Sequence, residues 1–346
     1  MKIAIHKKKG SYSDRWIEYC NEKRIDYKIV NAYSNNIIEE VADCDIFLWH
    51  HHHGYFADAN FAKQLLFSLE QAGKVVFPNF NTGWHFDDKL GQKYLFEAFD
   101  IPVAPSYAFY TKIEALSWAK EAKYPKVFKL RGGAGSSNVR LVKSFKEAKY
   151  YINRAFSNGF KTVDRWSGFK DILKSYKHGK SVFSDVLKGF VRLFIKTHNE
   201  KMQATHKGYI YFQEFIENDG FDYRAQTCGD NCIAMIRYCR KNDFRASGSS
   251  LSNRNPNDFP KDVLDLSFQI ADKLKLQASA LDFVREKNTG KLYLVENSFC
   301  YGIDNDEFDY GYFDRSGNWY DNKFNGVDWM IEEVLRLFND KNKIKL

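Results

Sequence analysis

"PKVFKLRGGAGSSNVRLV" (residues 125–142) sets Lys129 inside an apolar run, follows it with glycines and serines, and then returns to apolar alternation. A lysine in an apolar strand costs desolvation free energy unless it meets an anion. The loop that follows offers Gly132, Gly133, Gly135, Ser136 and Ser137, whose backbone amides suit phosphate oxygens. A snorkelling lysine before an ordinary chain reversal has the same pattern, so the stretch alone leaves both readings open. No G-K-[ST] follows, which excludes a Walker loop. A strand rather than a helix comes next, which excludes a dinucleotide fingerprint.

Acidic residues far downstream bear on the choice. Asp282 in "SALDFVRE" (279–286) and Glu296 in "KLYLVENS" (291–298) sit centrally in two apolar stretches joined by "KNTG", a hairpin signal. Carboxylates inside paired apolar strands are expensive unless a shared cation compensates them. With Asn297 and Ser298 beside Glu296, such hard oxygen donors suit Mg²⁺. The plainer alternative is a pair of edge-strand carboxylates on a solvated face.

Around these motifs the chain divides by pattern. "KIAIH" (2–6), "DYKIVNA" (26–32), "DIFLWH" (45–50) and "KVVFPN" (74–79) alternate with helical spacings at 13–24, 35–42 and 58–73. That predicts an α/β domain over 1–83, built on a parallel sheet covered on both faces. Residues 84–157 read as an α+β lobe with strands at 106–111, 125–130 and 138–143. Residues 158–206 form a basic, aromatic insert. Residues 207–346 read as a second α+β lobe carrying strands at 209–216, 221–228, 231–240, 279–286 and 291–298, with a helix at 261–274.

The 346 residues are 44% apolar, with 30 Phe, 21 Tyr and 7 Trp, so sizeable cores can be buried. No window reaches the length of a membrane span, and "MKIAIHKKKGSY" is too short for a signal-peptide core. Six scattered cysteines without a C-x-x-C pair indicate reduced thiols of a cytoplasmic protein; Cys228, Cys232 and Cys239 flank a Gly229–Asp230 turn in strand-like sequence rather than a zinc framework. The net charge of +8 is concentrated in 141–207 and suits an anionic nucleotide, a phosphorylated substrate or a membrane face. No nucleic-acid motif accompanies it.

"WHHHHGY" (49–55) follows a strand at the end where parallel sheets open their crevices. Successive residues of an extended run face opposite ways, so at most two imidazoles could share a metal. His50 or His53, with Trp49, is the candidate substrate contact; a plain surface loop is the alternative. In the insert, "FSDVLKGFVRLFIK" has helical apolar spacing with basic flanks, as a packed hairpin or as a lid or docking surface for an anionic lipid-linked or nucleotide-linked glycan. "NDEFDYGYFDRSGNWYDNKF" (305–324) forms either a hairpin over the site or a surface flap.

In chain order, "FPNFNTGWHFDDKLGQKYLFEAFDIPVAPSY", "PKVFKLRGGAGSSNVRLV", "YFQEFIENDGFDYRAQTCGDNCIAMIRY", "NDFRASG" and "ALDFV…LVENSFCYGI" resemble the ATP-grasp proteins. The similarity covers most of the chain outside 158–206. It points to the branch of ribosomal-protein glutamate ligases and glutathione synthetases, close to ATP-grasp proteins of bacterial surface-polysaccharide (capsule) gene clusters. The resemblance implies an ATP-grasp fold with two α+β lobes sandwiching ATP. It implies that Lys89 and Lys129 hold the phosphates, that Gly132 to Ser137 cover them, and that Gln213, Glu214, Phe215 and Ile216 form a hinge reading adenine. Asp222 would take the ribose hydroxyls, and Arg237 and Arg245 would act near the γ-phosphate and acyl substrate. Asp282, Glu296 and Ser298 would hold Mg²⁺. Two departures stand out: Leu130 and Arg131 occupy positions where much of the family has proline, and Glu296-Asn297-Ser298 replaces Glu-x-Asn, so Ser298 or Asn297 supplies the last donor.

The implied function is ATP- and Mg²⁺-dependent ligation of a carboxylate to an amine through an acyl phosphate, joining an amino acid or amine to a sugar acid. The amine proton would go to Asp243, a histidine or solvent. Phosphotransfer to a sugar or glycan, and nucleotide binding without turnover, are the alternatives. The implied partners are small-molecule or glycan-linked carboxylates and amines; peripheral membrane contact and a homodimer are both compatible with the sequence.

Overall fold

The computed structural model describes residues 1–133, 138–161, 165–166, 169, 172–173, 176, 182–195, 198–202, 204–240, 243–246, 251–302 and 310–343. The first sheet contains β1 (Ile3–His6), β2 (Tyr27–Val30), β3 (Ile46–Leu48) and β4 (Val75–Phe77), all parallel, in the order β2-β1-β3-β4. Parallel strands need crossovers. Here α1 (Tyr12–Lys23), α2 (Ile37–Glu40) and α3 (Phe56–Gln71) supply them. Ser11 caps α1 by accepting from the Ser13 amide, and Arg24 closes it at φ 55°. Strand alternation sends Ile3, Ile5 and Leu48 to one core with Trp16, and Ala4, Phe47 and Trp49 to another with Leu66.

The chain then runs through α4 (Phe80–Gly83), α5 (Lys89–Ala98), β5 (Ser106–Phe109), α6 (Lys112–Glu121), β6 (Lys126–Lys129), β7 (Arg140–Val142) and α7 (Phe145–Ala155). After α8 (Phe183–Phe194) and α9 (His198–Met202) comes β8 (Ile210–Glu214). An antiparallel sheet forms in the order β5-β8-β6-β7, with Ala115, Ala119, Ala148 and Ile152 of α6 and α7 packed on Phe128 and Phe212. Sequence order groups β8 with the C-terminal segment, but its hydrogen bonds place it between β5 and β6. The open edges of those two strands give it partners on both sides, a long-range pairing that no local pattern reveals.

The largest sheet is β13-β12-β9-β10-β14-β15, with β11 also on β10. It comprises β9 (Phe221–Cys228), β10 (Asn231–Tyr238), β11 (Ser252–Asn253), β12 (Ala278–Arg285), β13 (Leu292–Ser298), β14 (Tyr312–Asp314) and β15 (Trp319–Tyr320). Gly229, at φ +56°, makes the two-residue turn between β9 and β10. The 305–324 stretch, so far as it is described, makes the β14–β15 hairpin on the edge of β10. Residues 303–309 lie outside the described part.

One face of this sheet, with Tyr223, Ala225, Leu281, Phe283 and Leu294, packs on α10 (Lys261–Leu274) through Val263, Leu264 and Phe268. The opposite face presents Cys228, Ile233, Met235, Ala278 and Ala280 to α1 and to α11 (Gly326–Lys343) through Trp16, Met330 and Ile331. The cysteines are free thiols. Among the described residues, no helix is long and apolar enough to cross a membrane.

Phe283 is fully buried in the α10 core. Phe283→Ala should lower unfolding free energy by about 3–5 kcal/mol in urea titration, the cost of a large cavity.

Candidate active site

Register builds the site. Asp222 pairs with Arg237, Arg224 with Asp282, and Asp282 with Glu296, so one row of charge crosses β10, β9, β12 and β13 on a single face. The face is the one that carries Met235 and Ala280 further along. Where the apolar cover of α1 and α11 ends, the charged row begins.

Glu296 reaches this row through an irregularity. Strict alternation along β13 would put Glu296 on the face of Leu294, which is buried against α10. The register shifts between the Asp282 and Phe283 pairings, and the extra residue, Val295, turns Glu296 to the other side, opposite Asp282. Val295 and Glu296 then both line a cleft between the two antiparallel sheets.

Asp282 is gripped by two arginines. Arg224 donates to both its oxygens at 2.7 and 2.8 Å, and Arg237 donates to Asp282 at 2.8 Å while also clamping Asp222 with two bonds of 2.7 Å. Burial would push the Asp282 carboxyl up, but the guanidinium pair overrides it and holds it at about 2. Asp222 is driven the other way, to about 6, by burial and by the neighbouring Asp282 charge. Lys89, buried at the start of α5, donates to Glu296 at 3.0 Å and to the Gly133 carbonyl at 3.0 Å. Glu296 is also held low, because Lys89 and Lys129 outweigh its desolvation.

The opposite wall comes from β6 and β8. Lys129 donates to the Gln213 side-chain carbonyl at 2.7 Å, and burial pulls its ammonium down to about 8. The Glu214 carboxylate takes Lys126 at 2.5 Å and the Tyr107 hydroxyl at 2.9 Å, while its amide donates to Pro105. Phe215, Ile216 and Asn218 close that end of the cleft.

Lys129, Gln213, Glu214, Phe215, Ile216, Asp222, Arg237, Arg245, Asp282 and Glu296 all line one cleft. Arg245 is folded onto Asp243 at 2.7 Å. Gly132 and Gly133 lie beside the cleft, where the Asp87 carboxylate accepts from the Gly133 amide at 2.8 and 3.0 Å. A Cβ on Gly132 would stand 3.1 Å from that carboxylate. Gly135, Ser136 and Ser137 lie outside the described residues.

The partners of these side chains bear on three expectations. The cost of Asp282 and Glu296 inside the sheet is met by Arg224, Arg237 and Lys89, so a metal is not needed to explain these carboxylates. Ser298 shares their face, but its hydroxyl donates to the Cys300 carbonyl at 2.9 Å. Among the described residues, no three His, Cys, Asp or Glu side chains group as a metal site. His50 is a half-buried link and does not line the cleft: it stacks on Tyr12 at 3.6 Å, accepts from the Tyr12 amide, and meets Cys300 Sγ at 2.9 Å. Trp49 is wholly buried. His53 packs near Phe86, and its imidazole is lowered by burial and by the Lys89 charge.

Arg224 and Asp87 are site residues that motif reading missed. Arg224 stands two residues after Asp222 in a strand, so period-two alternation alone could have placed it on the same face. Asp87 had no local signal; its partner Gly133 is remote in sequence.

No family model and no curated protein matches the chain. Among solved structures it is similar to the biotin carboxylase domain of Hydrogenobacter thermophilus 2-oxoglutarate carboxylase, determined with MgADP, ADP and bicarbonate, at 16% identity and TM-score 0.57, over 96% of this chain and 69% of that one. It is also similar to a RimK-domain ATP-grasp protein of Sphaerobacter thermophilus at 14% identity and TM-score 0.51, over 86% and 90% of the two chains. The D-alanine–D-alanine ligase of Bacillus anthracis, determined with ATP, matches at 12% identity and TM-score 0.52, over 99% of both.

Arg224→Met should cost about 2–3 kcal/mol in denaturant unfolding, less than for a wholly unpaired buried charge because Arg237 stays on Asp282.

Proposed function

We propose that this chain, which has the ATP-grasp fold, is an ATP- and Mg²⁺-dependent ligase that joins a carboxylate to an amine through an acyl phosphate. The observation that carries this reading is the cleft itself: buried Lys129 on one sheet faces the Asp222–Arg237–Asp282–Glu296 row on the other. The fold likeness supports a nucleotide there, and the cations on both walls suit a polyphosphate.

In this reading adenine lies at the Gln213–Ile216 end, its ribose hydroxyls toward Asp222. Lys129 and Lys89 counter phosphate charge, and the loop from Gly132 covers it. A substrate carboxylate oxygen attacks the γ-phosphorus, the bond to the β–γ bridging oxygen breaks, and ADP leaves. An amine then attacks the acyl carbon, the C–O bond to phosphate breaks, and an amide forms with loss of a proton. Arg237 and Arg245 supply positive charge where the acyl phosphate develops. The protein orients groups and excludes water rather than donating electrons.

Asp282 and Glu296 are hard oxygen donors facing one another across the sheet, and with nucleotide phosphate oxygens they fit Mg²⁺. They would hold it, with Ser298 as a further donor, and the bound cation would neutralise triphosphate charge. The substrate class proposed is a sugar acid or related carboxylate with an amino acid or amine. A second reading, nucleotide binding without turnover, draws on one observation: Asp282 is already saturated by two arginines and Ser298 by Cys300.

Incubation of the full chain with ATP, Mg²⁺ and panels of uronic acids, amino acids and sugar amines separates the readings. Free phosphate and ADP released only when acid and amine are both present is the expected result. ADP release with phosphate retained on a hydroxyl product would identify a phosphotransferase, and tight ATP binding with no hydrolysis in any pair would identify the regulator.

Lys129 carries its charge below about pH 8 and loses it above. ATP affinity measured by calorimetry should therefore fall between pH 7 and pH 9, and Lys129→Arg should flatten that dependence. Lys129→Ala should weaken ATP binding about 10–100-fold at neutral pH.

A further inference from the structure

Helix α8 is seated along one edge. Gly189 is buried there, and a Cβ in its place would lie 2.9 Å from Ile172 Cδ1 and 3.3 Å from the Phe169 ring. From that seam the helix turns a second apolar stripe outward. Phe183, Leu187, Phe190 and Phe194 follow the i, i+4, i+7, i+11 spacing of a single face. They are 62, 56, 53 and 73% exposed, and Val191 and Ile195 beside them are exposed as well. Among the described residues, Phe183 and Phe190 meet Tyr176 and Phe169 in tilted ring pairs with centroids 6.1 and 6.0 Å apart.

The side of the helix opposite the stripe carries Lys188 and Arg192, both exposed, with the Asp185 carboxylate 3.8 Å from Lys188. The whole insert 158–206 holds ten lysines and arginines against four acidic residues, a net +6 of the chain's +8. Twelve residues make a helix of about 18 Å, too short to cross a hydrocarbon core of about 30 Å. A short helix with aromatic and aliphatic residues on one face and basic residues beside it lies flat in a lipid interface.

We propose that α8 docks flat on an anionic lipid surface, burying Phe183, Leu187, Phe190 and Phe194 while Lys188 and Arg192 lie at headgroup level. Charge complementarity selects this occupant. A second copy meeting the stripe face to face would bring two inserts of net +6 together, and like charges oppose that contact. Anionic headgroups instead attract each basic residue near the surface. This surface is independent of the nucleotide cleft.

Cosedimentation of the full chain with vesicles tests it. Binding to vesicles of equal parts phosphatidylcholine and phosphatidylglycerol should exceed binding to pure phosphatidylcholine at least about tenfold and should weaken as salt rises. The double variant Leu187→Glu, Phe194→Glu should lose the binding while keeping its melting temperature. Amide exchange over 183–194 in the unmodified chain should slow on the anionic vesicles, a readout that needs no variant. No binding by the unmodified chain, or equal binding by the variant, overturns the proposal. So does a lipid-free dimer, detected by light scattering, that the variant disperses.

Discussion

A carboxylate in the middle of a buried strand must be neutralised, and at Asp282 two arginines do this from neighbouring positions in the same sheet. Arg224 stands directly across the ladder on β9, and Arg237 reaches over from β10 while holding Asp222. Each charge in the row therefore has opposite charge beside it, and the row resists rearrangement because moving one member strands another. The result is a polar floor set into a sheet whose two faces are otherwise largely apolar.

That floor matters because a different sheet faces it. β6 and β8 bring Lys129 and the Gln213–Ile216 segment to the opposite wall. α5 ties the two walls together at its N-terminal end. Lys89 spans from the Gly133 carbonyl on the loop to Glu296 on the floor, and the Gln92 side chain brackets the Asn297 backbone on β13. Burial lowers the ammonium of Lys129, whereas Lys89 is raised because its neighbouring carboxylates outweigh burial. Two lysines that sequence motifs treat alike thus hold their protons with different strength: one is committed to protein carboxylates and one is set against a neutral amide.

Much of the architecture was legible because it rests on short-range rules. The parallel first sheet followed from buried strands alternating with helical spacings, and two of the three hairpins of the last sheet followed from Gly229 and from the "KNTG" turn. Lys129 of β6, Asp282 of β12 and Glu296 of β13 drew notice as charges placed inside apolar strands, since such charges need partners wherever the chain goes, whereas Asp222 of β9 and Arg237 of β10 were singled out only by the family resemblance. What could not be read were the partners themselves. Asp282 suggests a cation by its cost alone, yet a metal, an arginine and a lysine satisfy that cost equally well on paper.

The sequence by itself determined most of the strands and helices, though not α5, α11 or β11, and which buried charges would have to be compensated, because these depend on periodicity and desolvation within a few residues. Only the tertiary structure decided where β8 inserts, that Val295 bulges so Glu296 turns toward Asp282, and that His50 is spent on Tyr12 and Cys300 rather than on a ligand. Each of those outcomes depends on contacts between segments remote in the chain. A one-residue register shift there costs little locally but reverses the face on which a side chain appears.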